Sequence, residues 1–189
     1  MTISLDALTL QRIELFNNLT TEDLHGLLPA CEELSVPAGQ TVFEAGHVER
    51  ALYVLLDGTA EVDLESARAA ERVVAELAAG SVFGESSFFH AREHSATVKA
   101  RTDVRLLRFN RPPFDNLLQS GNVVALRIAA NAATILAARL QAADQFIVGL
   151  LEQIQDEKVR EALTRFRQSM SHSFSSTVRP LMPAAATQS

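Results

Sequence analysis

Residues 80–98 read GSVFGESSFFHAREHSATV, two small-residue turns bracketing a polar cluster between strand-like segments. Gly80 can take the positive φ of a turn, and the expectation for Gly84 is that it lets the backbone approach a ligand closely where a Cβ would intrude. Glu85, Ser86 and Ser87 follow at once. A short helix starting at Glu85 and running through Phe88 and Phe89 would leave backbone N–H groups and a positive dipole end facing an anion such as phosphate. A carboxylate in the same turn can accept hydrogen bonds from sugar hydroxyls. Ser95-Ala96-Thr97-Val98 then resumes alternation and reads as a strand.

Working outward, short apolar runs from Val36 onward are separated by Gly39, Gly46, Asp57-Gly58 and Gly80, the punctuation of a β-barrel or jelly roll. The expected strands are 41–44, 51–56, 59–65, 72–77, 95–100 and 104–109. Asp57-Gly58 predicts a hairpin between two of them. In the run 59–65, Ala60, Val62 and Leu64 alternate with Glu61, Asp63 and Glu65, which gives one buried and one wet face. Ahead of this region, Leu5, Leu8, Ile13 and Phe16 recur at helical intervals. Thr20-Thr21-Glu22-Asp23 resembles a capping box opening a second helix to about Glu33.

Behind it, Asn110 is placed to cap a helix opened by Pro112 and Pro113 and ended before Gly121. A long helix begins at Asn122. Leu126, Ala133, Leu140, Ile147 and Ile154 recur every seven residues, with Ala129, Leu136, Ala143 and Leu150 as a second seam. That stripe predicts a coiled-coil pairing with a second copy, the alternative being packing on the chain's own barrel. Arg127, Arg139 and Asp144 interrupt the apolar run and argue against a membrane span. Gly149 predicts a bend or a close helix contact. Val159, Leu163, Phe166 and Met170 continue a helical stripe, and the Ser-, Thr-, Pro- and Ala-rich residues 171–189 read as a disordered tail.

The segment FGESSFF, with HSATV at the right distance, resembles the phosphate-binding cassette of the cyclic-nucleotide-binding domain, the sensor module of catabolite activators, cAMP-dependent kinase regulatory subunits and gated channels. The resemblance covers about residues 13–145. It implies a mainly β fold with flanking helices: N-terminal helices over 1–35, a β-roll (jelly roll) over 36–110 carrying the cassette loop 80–98, and helices over 111–170 that include a long dimerisation helix. It also implies that Phe83, Gly84, Glu85, Ser86, His94 and Ser95 meet the ligand, Glu85 taking a ribose hydroxyl and Ser95 a phosphate oxygen. The family's Pro-Arg pair is here Glu93-His94, and imidazole in place of a guanidinium offers one donor unless it is protonated. Arg92 could substitute for the missing cation or be an ordinary surface arginine. In activators a Thr-Ser pair on the long helix meets the base; the same register here is Ala143-Asp144, where Asp144 could accept from an adenine amine.

With 189 residues and 47% hydrophobic content, the chain can bury one sizeable core with an extension. A net charge of −6 argues against DNA as a partner, as does the lack of helix-turn-helix patterning after residue 145. The lone Cys31 and the absence of a leader pattern suggest a cytoplasmic protein. No GxSxG elbow and no metal-ligating cluster is present, so no enzymatic activity is expected. The resulting expectation is a regulatory sensor that takes cAMP or another cyclic nucleotide, dimerises through residues 122–154 and signals to a protein partner. Two alternatives stay open: a degenerate pocket serving dimerisation and protein interaction, and the sensory piece of a larger signalling enzyme.

Overall fold

A computed structural model describes residues 7–63, 73–154 and 156–175. Leu5 of the first expected helix, Leu64, Glu65 and Arg72 of two expected strands, and residues 176–189 of the expected tail lie outside the described residues. The chain divides into two compact units, residues 1–136 and 137–189.

The first unit is built on two four-stranded antiparallel sheets. One has the order β1 (Cys31–Val36), β8 (Val104–Asn110), β3 (Ala51–Asp57), β6 (Val82–Phe83). The other runs β2 (Thr41–Phe43), β7 (Thr97–Ala100), β4 (Thr59–Asp63), β5 (Val73–Ala78). The alternation of side chains along a strand explains how the first sheet serves two cores at once. From β3, Ala51, Tyr53 and Leu55 point into the roll between the sheets, while Leu52 and Val54 point to the helices. From β8, Val104 and Leu106 go inward, and Leu107 and Phe109 go to the helices.

The capping box at Thr20 forms as expected: Asp23 N–H donates to Thr20 Oγ1 at 3.1 Å and Thr20 N–H donates to Asp23 Oδ2 at 2.9 Å. The helix it opens, α2 (Thr21–Leu27), stops well short of Glu33. Pro29 has no N–H to donate into the helix, so α2 gives way to one 3-10 turn, Leu28–Ala30, and the chain enters β1. There Cys31–Val36 pairs with β8 over its whole length, and Arg105 meets Glu33 at 2.6 Å across the sheet. The expected helix over residues 5–16 is likewise shorter, a single turn α1 (Ala7–Leu10) followed by a 3-10 turn at Glu14–Phe16.

Asp57-Gly58 does not close a hairpin, because β3 and β4 belong to different sheets. The chain turns a corner there instead. Gly58 has φ +85, and a Cβ on it would lie 2.3 Å from the Asp103 carbonyl oxygen. Asn110 does precede helix α4 (Arg111–Gln119), but its side chain makes no capping hydrogen bond; it is also the last residue of β8.

The long helix α5 (Val123–Gln153) starts in the first unit. Ala125, Ile128, Ala132 and Ile135 are buried there against the helical core, and Asn131 Nδ2 donates to the carbonyls of Leu15 and Asn17 at 2.9 Å each. This is not the stripe read as a seam. Leu126 and Leu140 on the expected seam are 52% and 44% exposed. By length and composition α5 is apolar enough to cross a membrane, with a mean hydropathy of 1.6, yet its first half is committed to the protein core and Arg127 pairs with Asp23 at 3.2 Å.

In the second unit, the remainder of α5 is joined to α6 (Glu157–Ser175) by the Arg167 guanidinium, which meets both oxygens of Asp144 at 2.8 and 3.3 Å. Asp156 Oδ1 caps the start of α6 by accepting from Lys158 N–H at 2.9 Å. The helix reaches Ser175, four residues beyond the expected start of disorder at 171. A Cβ on Gly149 would meet nothing within 4 Å of this chain, and α5 continues through it. Among the described residues, α6 is the only helix that follows α5.

Candidate functional site

The cassette hangs on β6. Val82 faces the helical core, Phe83 faces the roll, and Gly84 at φ +79 turns the chain into helix α3 (Glu85–Phe89). A Cβ on Gly84 would lie 2.7 Å from the Ala51 carbonyl oxygen and 3.1 Å from the Tyr53 ring. The chain's own β3 strand therefore already requires glycine at position 84. Phe83, read as a ligand contact, is 5% exposed and stacks on Tyr53 with ring centroids 5.3 Å apart.

Along α3, Glu85 is half-buried and Ser86 exposed, while Ser87 and Phe88 are buried. Phe88 meets Phe114 of α4 edge-on at 5.2 Å and lies under the Arg111 guanidinium, also 5.2 Å away. The Phe88 carbonyl accepts from Arg111 at 3.0 Å and from Arg50 at 3.4 Å. Arg111 in turn is held by Asp115 at 2.7 Å. One residue of the cassette helix thus carries an aromatic contact, a cation–π contact and two charge-assisted hydrogen bonds, from Arg50 just ahead of β3 and from Arg111 of α4.

His94 is only 6% exposed. Its ring stacks on Phe43 at 3.9 Å with an interplanar angle of 14°, and Nδ1 lies 3.3 Å from Ser87 Oγ. Its backbone is stitched to the 46–47 turn: Gly46 N–H donates to the His94 carbonyl and His94 N–H to the His47 carbonyl, both at 2.9 Å. Burial lowers the His94 pKa below its usual value; the negative charge of Glu49 partly offsets this and His47 adds to it. The imidazole is therefore held neutral. A histidine with a lowered folded pKa stabilises the fold while it is neutral, and that contribution is lost as the unfolded form gains a proton that the folded form resists. Stability to urea should accordingly fall between pH 7.5 and 5.5 more in the wild type than in His94→Gln. Equal pH slopes for the two proteins would refute the burial argument.

Beside the stack, Tyr53 Oη donates to Glu49 Oε2 at 3.0 Å, and Arg108 bridges Glu49 and Glu32. Burial, reinforced by the Glu49 charge, pushes the Tyr53 hydroxyl well above its usual pKa. Ser95 and Arg92 are exposed. Ala143 and Asp144 belong to the second unit, where Asp144 is engaged by Arg167. The structure thus brings together Gly84, Glu85, Ser86 and, through Ser87, His94. Ser87, named in the sequence only as part of the polar turn, and Phe43, which carried no signal there, are the residues that hold His94.

Two stacked sheets, a short helix between β6 and β7, and a long helix after the roll define a cyclic-nucleotide-binding-type β-roll. Residues 33–121 match the family model for the cyclic nucleotide-binding domain. The cyclic AMP receptor protein of Thermus thermophilus is 32% identical over 130 residues, 69% of this chain and 58% of that protein. The cAMP-dependent protein kinase regulatory subunit of Schizosaccharomyces pombe is 30% identical over 117 residues, 62% of this chain and 27% of that protein. The chain therefore spans between about a quarter and three fifths of the length of these two relatives. The N-terminal domain of a transcriptional regulator from Streptomyces coelicolor superimposes with a TM-score of 0.61 at 27% identity, over 71% of this chain and 93% of that one.

Proposed function

We propose that the protein senses a cyclic nucleotide at Gly84, Glu85, Ser86, His94 and Ser95, and relays occupancy of the cassette to a long helix that pairs with a second copy and to a protein partner. The observation that carries this reading is the attachment of α3 to α4 through Phe88, Phe114 and Arg111, which makes the cassette and α4 move together. A ligand shifts such a system only by its differential affinity for two states. The test is a thermal-shift panel of cyclic mono- and dinucleotides, in which a ligand at a hundredfold excess over Kd adds about 2.7 kcal/mol. No shift with any of them would sink the sensor reading.

The burial of His94 favours a second reading, a retained fold that binds no cyclic nucleotide and serves as a dimerisation and interaction module. His94→Arg separates the two. A guanidinium that reaches the cyclic phosphate contributes roughly 1.5–3 kcal/mol, so calorimetry should show cAMP affinity rising tenfold or more. Absence of binding in both proteins supports the module.

Pairing through α5 is supported by the division of labour along that helix. One stripe is buried in its own domain, and the neighbouring stripe of Leu126 and Leu140 is left exposed. Glutamate at both Leu140 and Ile147 is expected to give a folded monomer in sedimentation velocity, because a seam cannot desolvate four charges per dimer. An unchanged sedimentation coefficient would refute the seam.

A further inference from the structure

The Ser87 hydroxyl has one proton, and it goes to the Gly84 carbonyl at 3.0 Å. Toward His94 Nδ1, 3.3 Å away, the same oxygen can then only accept. His94 Nδ1 must carry the hydrogen, which leaves Nε2 of the neutral ring as a bare acceptor. That atom is buried and has no hydrogen-bond partner among the described residues. Turning the ring over in its own plane would keep it on the Phe43 face but would take Nδ1 away from the Ser87 hydroxyl. The ionisable groups that act on it, Glu49 and His47, pull in opposite directions, and His47 is itself 3.7 Å from Glu44.

We infer that Ser87 fixes His94 as a hydrogen-bond acceptor, so that this position of the cassette selects a ligand group bearing O–H or N–H and rejects an anionic oxygen. The inference rests on the reading above that His94 faces the ligand. A cyclic phosphate presents only acceptor oxygens, and against Nε2 two lone pairs would meet in a water-poor site. A hydroxyl, amide or amine would instead complete the one buried polar atom of the ring that lacks a partner. Ser87 acts here through His94 and is a positioning residue.

Long-range proton–nitrogen spectra of uniformly ¹⁵N-labelled protein at pH 7.5 read the tautomer directly. Protonation of His94 at Nδ1 is expected; protonation at Nε2 overturns the inference. Ser87→Ala should release the ring to the Nε2–H form, which is a neutral donor, and raise cAMP affinity roughly two- to tenfold. Ser87→Thr, which keeps a hydroxyl, should behave as wild type. A merely structural Ser87 would give unchanged or weaker binding in Ser87→Ala, and that result overturns the inference.

Adenosine, which carries hydroxyls and an amine but no phosphate, is the second probe. The wild type should bind it more tightly than cAMP at pH 7.5, and an equal or reversed ranking counts against the acceptor assignment. Cyclic nucleotides that fail to bind wild type, Ser87→Ala and His94→Arg alike would sink the sensor reading, while the adenosine ranking still decides this one.

Discussion

Phe88→Ala is expected to lower unfolding stability by about 3–5 kcal/mol, the usual cost of emptying a fully buried phenylalanine site. The side chain is 0% exposed and joins α3 to the core that α1, α2, α4 and the first half of α5 share. Its neighbour is a built-in control: Phe89 is only half-buried, so Phe89→Ala should cost less than half as much in the same urea titration. A double-mutant cycle between Phe88 and Phe114 should return a coupling of about 0.5–1.5 kcal/mol beyond the separate burial losses. If Phe88→Ala cost under about 1.5 kcal/mol, α3 would not be anchored to α4, and the relay from cassette to long helix would lose its physical basis. With anchoring as described, any ligand bound by the wild type should still bind Phe88→Ala while its effect on the proposed α5 pairing weakens.

Gly84→Ala should cost roughly 2–4 kcal/mol by a different route. The residue sits at φ +79, where an L side chain is strained, and the added methyl would overlap the Ala51 carbonyl oxygen at 2.7 Å. That oxygen belongs to β3 and cannot swing aside as a flexible side chain would, so α3 must move. Circular dichroism melts of Gly84→Ala against Ser86→Ala give the comparison, since Ser86 is exposed and should be near neutral. A Gly84→Ala protein as stable as wild type would mean that the β6–α3 turn is soft and that the cassette is not held in a single position.

Much of the architecture could be read from residue order alone, because the signals involved are local. A period-two alternation in β4, a Thr-Asp capping box, prolines opening α4 and a polar turn before Phe88-Phe89 each act over a few residues. The family pattern in FGESSFF and HSATV likewise needed nothing beyond the chain itself. Three features depended on contacts between residues far apart in sequence.

The first is the start of β1, residues 31–33, which reads as the tail of a helix. It becomes a strand because β8, some seventy residues later, offers six backbone partners and Pro29 has already ended α2. The second is Asp57-Gly58, whose hairpin chemistry is overridden because β3 and β4 each find better partners in different sheets, a choice no dipeptide can encode. The third is His94. By position it stands where a charged ligand contact is expected, and only packing against Phe43, with Ser87 on Nδ1, makes it a neutral and buried group. Sequence by itself determined the fold family and the address of the cassette, because those rest on local pattern. Tertiary structure decided the charge and hydrogen-bonding character of the site, because both depend on which distant side chains remove it from water.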